Sequence, residues 1–222
     1  PPPGRTPAGA GGGQLRGARR RVGLGGERVK LRPGAVTEDT TQAIMEAVDL
    51  VVVTGSQDDV RRAYRSGTPA IGVGAGNVPV IIDETADLAA AAQKICASKT
   101  FDNATSCSSE NAVVIVDEVY DAAIDALKKA GGYLVDGAQK ARVQGELWKN
   151  GKLNRHLIAR DMPVLAESFR LPPAAAASKF LLVEETGIGK AFPLSGEKLA
   201  LVLTVYRASD FKAATETVRK IL

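Results

Sequence analysis

One cysteine lies in a segment of small polar residues. The segment 101–111 reads FDNATSCSSEN, with Cys107 between two serines. A cysteine that only fills a core normally has aliphatic neighbours, whereas polar groups and backbone N–H donors stabilise a thiolate. A thiolate is a strong nucleophile, so Cys107 is a candidate for covalent catalysis. On these residues alone, a loop cysteine without a role is the alternative.

A second candidate site is the turn Thr54-Gly55-Ser56, which follows the apolar run 50–53. Gly55 and Ser56 stand where a buried strand ends and a helix begins, and the N–H groups at a helix N-terminus can hold a phosphate. Ser56 could equally be an N-cap with a purely structural role. The acidic residues at 58 and 59 would also repel an anion, so both interpretations stay open here.

Two further features need a chemical interpretation. The segment 72–77, GVGAGN, resembles a dinucleotide fingerprint, but Asn77 stands where its last glycine belongs and a strand-like run follows. A loop shaped for close backbone approach is the better description. Glu197 precedes the last apolar run, where a surface carboxylate is the simpler interpretation. With one histidine and two cysteines 11 positions apart, no zinc motif can be built, and we expect no metal.

Composition places the chain among ordinary globular proteins. Its 222 residues are 45% apolar and 24% charged, and no apolar stretch approaches the roughly 20 residues that a transmembrane helix needs. Two cysteines without secretory context predict a reducing compartment, the cytoplasm. The net charge of +4 is misleading, because residues 1–33 hold eight Arg and Lys against one Glu. The remainder is mildly acidic, so we expect no nucleic-acid partner and no membrane partner.

Residues 1–33 differ from the rest in composition. This Gly/Pro/Arg-rich segment could bury little apolar surface, so we predict that it is disordered. A basic tail that binds polyanions is the alternative function for it.

From residue 37 the sequence alternates between helical and strand-like patterns, which predicts an α/β fold with a parallel sheet. The predicted strands are 50–53, 70–73, 78–82, 112–116, 180–183 and 199–206. The predicted helices begin after Thr37 and cover 58–65, 88–99, 120–129, about 137–148, 153–159 and 210–222, with a connector at Pro172-Pro173.

Four motifs in this order resemble the aldehyde dehydrogenase superfamily. They are VTGS at 53–56, GVGAGNVPVIID at 72–83, CSSEN at 107–111 and EKL at 197–199. The glycine-rich segment and the cysteine motif are similar to the CoA-acylating branch. The resemblance covers about 35–222, and the combination of motifs is highly specific.

The resemblance implies a role for each candidate residue. Cys107 is then the nucleophile, and its backbone N–H an oxyanion donor. Gly55 and Ser56 lie at the pyrophosphate of NAD or NADP, and Glu197 binds the nicotinamide ribose. The family's usual Gly-Pro after the last motif is Ala200-Leu201 here, and this departure counts against the role assigned to Glu197.

The resemblance also concerns the acyl acceptor. The hydrolytic branch activates water with a glutamate near the position of Val73. Residues 72–76 contain no carboxylate, which agrees with acyl transfer to coenzyme A.

The resemblance also sets the domain organisation. We expect 34–75 to be the C-terminal part of a Rossmann-like NAD(P)-binding domain and 76–222 to be most of an α/β catalytic domain. Family members are about twice this length, so we expect a fragment that is inactive alone, and a full-length form that is a homo-oligomer. The substrate would be a small aldehyde, and we favour sulfoacetaldehyde because 151–154 and 184–189 resemble the acylating sulfoacetaldehyde dehydrogenases. A catalytically inactive interaction module that keeps the fold is the alternative.

Overall fold

The structure, a computed structural model, describes residues 36–222. These residues divide into two units, with the boundary along the chain between Val73 and Gly74. The predicted disorder of 1–33 therefore lies outside the described residues. The assignment of 34–75 to a cofactor domain and of 76–222 to a catalytic domain stays a prediction.

The first unit consists of two helices and two strands, namely α1 (Glu38–Glu46), β1 (Val51–Thr54), α2 (Gln57–Arg65) and β2 (Ala70–Val73). Each helix begins at a capping box, with Thr37 as the N-cap of α1 and Ser56 as the N-cap of α2. The two strands are parallel and pair Val51 with Ala70. Buried apolar side chains from α1, β1 and α2 form the small core between them.

The second unit is built on a five-stranded parallel sheet with the order β3-β4-β9-β8-β5. Its strands are β3 (Pro79–Ile82), β4 (Ala112–Val116), β5 (Gly132–Leu134), β8 (Phe180–Glu184) and β9 (Val202–Ala208), and a short antiparallel hairpin contains β6 (Trp148–Lys149) and β7 (Lys152–Leu153). Its helices are α3 (Leu88–Thr100), α4 (Tyr120–Lys129), α5 (Gly137–Leu147), α6 (Met162–Ser168), α7 (Pro173–Ala176) and α8 (Phe211–Ile221).

Strand β4 shows how this sheet is buried on both faces. Its five residues are all buried, and successive side chains point to opposite faces. Val113 and Ile115 belong to the large core beneath α3 and α4, whereas Ala112, Val114 and Val116 belong to a smaller core beneath α8. Strands covered on both faces read as continuous apolar runs, which is why these strands were visible in the sequence. The predicted α/β class with a parallel sheet is confirmed.

Two predicted elements are wrong. The predicted helix 153–159 is instead strand β7 followed by a short 3-10 turn, Arg155–Leu157. The cause is the turn at Asn150 and Gly151, whose φ angles of 54° and 73° fold the chain into the β6–β7 hairpin. The last predicted strand begins at Val202 instead of residue 199, because Leu199 has a left-handed φ of 48°. Strands β5 and β6 and helices α6 and α7 were not predicted, and α7 begins within the predicted connector at Pro172-Pro173.

Within residues 36–222, no helix has both the length and the hydropathy required to cross a bilayer.

Candidate active site

Cys107 lies at the tip of a turn that precedes the N-terminal end of β4. The Ser109 N–H donates to the Ser106 carbonyl over 3.0 Å, and the hydroxyl groups of Ser106 and Ser108 lie 2.9 Å apart. These contacts close the turn around Cys107, which is exposed. Across the part of the chain that the structure describes, the Cys107 N–H has no hydrogen-bond acceptor. The turn therefore presents a thiol and a free backbone donor side by side.

The chain enters this turn through three successive residues with left-handed backbone. Asp102, Asn103 and Ala104 have φ angles of 48°, 51° and 62°. Such angles are unfavourable for residues other than glycine, and least so for Asp and Asn. The Asn103 amide holds the arrangement, donating to Asp161 Oδ1 over 2.7 Å and to the Ala159 carbonyl over 3.3 Å. Backbone strain that neighbouring contacts enforce is a common property of functional sites.

The chain leaves the turn above a buried lysine at the end of α3. Lys99 is 1% exposed, and its Nζ donates to the Glu110 carbonyl over 2.9 Å. Burial lowers the pKa of Lys99 to about 7, although the Glu110 carboxylate opposes the shift. Ser109 Oγ and Glu110 Oε2 are also buried and have no partner among the described residues. The buried polar groups of Lys99, Ser109 and Glu110 thus lie next to the Cys107 turn.

Asn111 joins the cysteine motif to two strands and to the Glu197 motif. Its backbone N–H donates to the Val78 carbonyl over 2.8 Å, and its carbonyl accepts from the Thr204 N–H over 3.0 Å. Its side-chain Oδ1 accepts from the Lys198 N–H over 3.1 Å. The two motifs that the sequence places 90 residues apart are therefore hydrogen-bonded to each other.

We expect Asn111→Ala to destabilise the second unit by about 1–3 kcal/mol, because the buried Lys198 N–H would lose its acceptor. Chemical denaturation of the two proteins, monitored by circular dichroism, measures this difference. The control is Gln93→Ala at an exposed position of α3. An Asn111 variant as stable as the wild type would show that this bond does not hold the motifs together.

Lys198 is a second buried lysine in the same region. It is fully buried, and its Nζ donates to the carbonyls of Leu194 and Gly196 over 2.8 and 2.9 Å. Burial, with a smaller contribution from Lys99, lowers the pKa of Lys198 well below its ordinary value. The Leu194 carbonyl also accepts from Thr204 Oγ1 over 2.6 Å, which fixes this loop to β9.

Glu197 lies in the same loop, half-buried between Gly196 and Lys198. Burial raises the pKa of its carboxyl group, and the positive charge of Lys198 opposes that shift. A second set of hydrogen bonds connects this loop to the segment that leads into the Cys107 turn. The Leu199 carbonyl accepts from the Ala159 N–H over 3.1 Å, and Ala159 is one of the residues that Asn103 binds.

The glycine-rich segment lies beside the Cys107 turn at Gly76. A Cβ atom at Gly76 would lie 3.6 Å from the Cys107 carbonyl oxygen. The next residue, Asn77, donates through Nδ2 to the carbonyls of Ser195 and Ile221 over 2.8 and 3.1 Å. The glycine-rich segment, the cysteine turn and the Glu197 loop therefore meet at the N-terminal ends of β3, β4 and β9.

Gly55 and Ser56 lie in the first unit, at the turn between β1 and α2. The Ser56 Oγ accepts from the Asp59 N–H over 3.2 Å and lies 2.7 Å from Asp59 Oδ2. Within residues 36–73, the N–H groups of Gln57 and Asp58 have no acceptor. The turn thus has donors that fit a phosphate, and Ser56 also serves as the structural N-cap.

Sequence reasoning did not select Lys99, Asn111 or Lys198. A signal existed for Lys99, because it lies on the same helical face as the buried residues Ala92 and Ile95. No comparable periodicity marked the other two. Across residues 36–222, no group of three or more His, Cys, Asp or Glu side chains is arranged to hold a metal ion.

Comparisons with known proteins identify the family of this chain. The model of the aldehyde dehydrogenase family matches residues 20–147, more than half of the chain. The acylating sulfoacetaldehyde dehydrogenase of Cupriavidus necator is 50% identical over 202 residues, which cover 90% of this chain and 41% of that protein.

Two solved structures are similar to most of this chain. The acetylating aldehyde dehydrogenase of Geobacillus thermoglucosidasius has a TM-score of 0.81 and 35% identity, covering 89% of this chain and 45% of that one. The Rhodopseudomonas palustris propionaldehyde dehydrogenase with bound propionyl-CoA has a TM-score of 0.75 and 27% identity, covering 83% and 41%. The chain spans less than half the length of these proteins. It belongs to the aldehyde dehydrogenase family, and its similar proteins include acylating members.

Proposed function

We propose that this chain carries the nucleophile of an enzyme that oxidises an aldehyde with NAD+ or NADP+ and transfers the acyl group to coenzyme A. The observation that carries the proposal is the exposed Cys107, whose N–H has no acceptor among the described residues and whose motif is hydrogen-bonded to the Glu197 loop through Asn111. The similarity to an acylating sulfoacetaldehyde dehydrogenase and to a protein with bound propionyl-CoA supports it.

In the proposed reaction, the Cys107 thiolate attacks the aldehyde carbon to give a thiohemiacetal. The Cys107 N–H donates to the oxygen that becomes negatively charged in this step. A bound nicotinamide cofactor would supply the acceptor for the hydride that leaves the same carbon. Loss of that hydride leaves an acyl thioester on Cys107.

Gly55, Ser56 and Glu197 would hold the cofactor. The free N–H groups of Gln57 and Asp58 fit a pyrophosphate at the N-terminus of α2, where the helix dipole also favours an anion. The half-buried Glu197 carboxylate is an acceptor for ribose hydroxyl groups. The hydrogen bond from the Lys198 N–H to Asn111 would fix the position of Glu197 relative to the Cys107 turn.

Coenzyme A is the proposed acyl acceptor because residues 72–76 supply no carboxylate to activate water. A thiol is already nucleophilic as its thiolate and needs less activation than water does. The thioester on Cys107 would therefore persist until a thiol attacks its carbonyl carbon and Cys107 leaves as thiolate. Sulfoacetaldehyde is the aldehyde we propose, on the 50% identity with the Cupriavidus necator enzyme.

A chimera tests the acyl acceptor, in which residues 35–222 replace the matching part of the full-length Cupriavidus necator enzyme. Without coenzyme A, we expect a burst of NADH or NADPH near one equivalent per active site, followed by a stall. Absorbance at 340 nm in a stopped-flow experiment measures the burst, and added coenzyme A should restart turnover. Steady formation of free acid without coenzyme A would overturn the acylating proposal.

A further inference from the structure

Lys99 places an ammonium group in the protein interior without an ion-pair partner among the described residues. It is 1% exposed at the end of α3, and the one hydrogen bond that its Nζ makes within residues 36–222 goes to the Glu110 carbonyl. None of the ion pairs between described residues includes Lys99. A buried charge without an ion-pair partner is costly, and an apolar side chain of similar volume would fill the same space. Stability therefore does not explain a lysine at this position.

The groups that face Lys99 define its electrostatic environment. The Glu110 carboxylate favours the ammonium form of Lys99, and the charge of Lys99 in turn lowers the pKa of the second buried lysine, Lys198. Because burial is the largest effect, the pKa of Lys99 falls to about 7. Lys99 can consequently change its charge near neutral pH while it stays in contact with the nucleophile loop.

The position of Glu110 gives this contact a function. Glu110 comes three residues after Cys107 and directly follows the turn that the Ser109–Ser106 hydrogen bond closes. The other arm of the loop is held by Asn103 through its bonds to Asp161 and the Ala159 carbonyl. Lys99 thus holds the second arm at Glu110, one residue before the bonds made by Asn111.

We propose that Lys99 is a positioning residue for the nucleophile: its ammonium group holds the Glu110 carbonyl and so fixes the Cys107 turn for attack. This inference rests on the proposed role of Cys107. An ammonium donor makes a stronger bond than a neutral amine, so the turn is held most firmly when Lys99 is protonated. Lys99 itself does not touch the substrate.

The test compares Lys99→Met with the wild type in the chimera described above. We expect a rate of Cys107 acylation about tenfold lower, the size of one charge-assisted hydrogen bond, with the KM for NAD(P)+ unchanged. The wild-type pH profile of that rate should contain a titration near pH 7 that is absent from Lys99→Met.

The outcomes separate this inference from the proposed function. If the wild-type chimera forms no acyl group on Cys107, the proposed function fails. If the wild type is acylated and Lys99→Met reacts at the same rate with the same pH profile, the positioning role alone is overturned. A slower variant that is also less stable than the wild type at pH 6 would likewise overturn it, because the lysine would then be structural.

Discussion

Cys107→Ala in the chimera is expected to lower the rate of aldehyde oxidation by at least about 10⁴-fold, the scale on which loss of a catalytic nucleophile acts. No other group in the turn can form the thioester, because Ser106 and Ser108 offer only hydroxyl groups without an adjacent base. NADH or NADPH formation with aldehyde and coenzyme A present measures the loss.

Cys96 provides the matched control for this substitution. It is buried on α3, and its Sγ lies 3.2 Å from the Ala130 carbonyl oxygen. Cys96→Ala should keep the activity, and Cys107 should react with iodoacetamide before Cys96 near neutral pH. Peptide mapping after limited alkylation separates the two thiols. Preferential labelling of Cys96, or full activity in Cys107→Ala, would remove Cys107 from the mechanism.

Lys99→Met is expected to stabilise the 222-residue chain at pH 6 by about 2 kcal/mol. The drop in the pKa of Lys99 from 10.5 to about 7 corresponds to an upper bound of roughly 5 kcal/mol for burying its charge. The Glu110 carbonyl loses its donor in the variant, which costs about 1–3 kcal/mol and offsets part of the gain. Urea unfolding at several pH values measures the difference.

The pH dependence has a definite sign. Below pH 7, Lys99 is protonated in both the folded and the unfolded chain, and the penalty for burying the charge is fully present. Between pH 7 and 10.5 the unfolded chain binds a proton that the folded chain does not, so wild-type stability rises with pH. Lys99→Met lacks this contribution, and its advantage should disappear as the pH approaches 10.

Lys94→Met is the matched control, since Lys94 is exposed on the same helix. We expect it to change stability by less than about 0.5 kcal/mol at every pH. If Lys99→Met instead destabilises the chain at pH 6, or shows the same pH slope as the wild type, the account of a strained buried ammonium is wrong.

The sequence predicted the architecture well because its strands carry their own signal. β4, β8 and β9 are buried on both faces and are continuous apolar runs, and Asp87 and Asp136 cap their helices by local chemistry. The failures occur where short-range signals compete. Asn150-Gly151 is a strong hairpin signal, yet the flanking strands have only two residues each and resemble helix ends.

The site was predicted less completely, for a different reason. Resemblance selected Cys107 and Glu197, but the contacts between their motifs run through Asn111 and Lys198, which are 87 residues apart. Such a bond depends on the order of strands in the sheet, in which β4 and β9 are neighbours. No local pattern encodes it. The buried state of Lys99 similarly depends on what packs over the end of α3.

We propose that Cys107 carries the acyl group and passes it to coenzyme A. The direct measurement is mass spectrometry of the chimera after reaction with sulfoacetaldehyde and NAD(P)+ in the absence of coenzyme A. We expect one acyl adduct per chain, located on the peptide that contains Cys107 and released as acyl-CoA when coenzyme A is added. An unmodified Cys107 peptide, with free acid accumulating in solution, would contradict the claim.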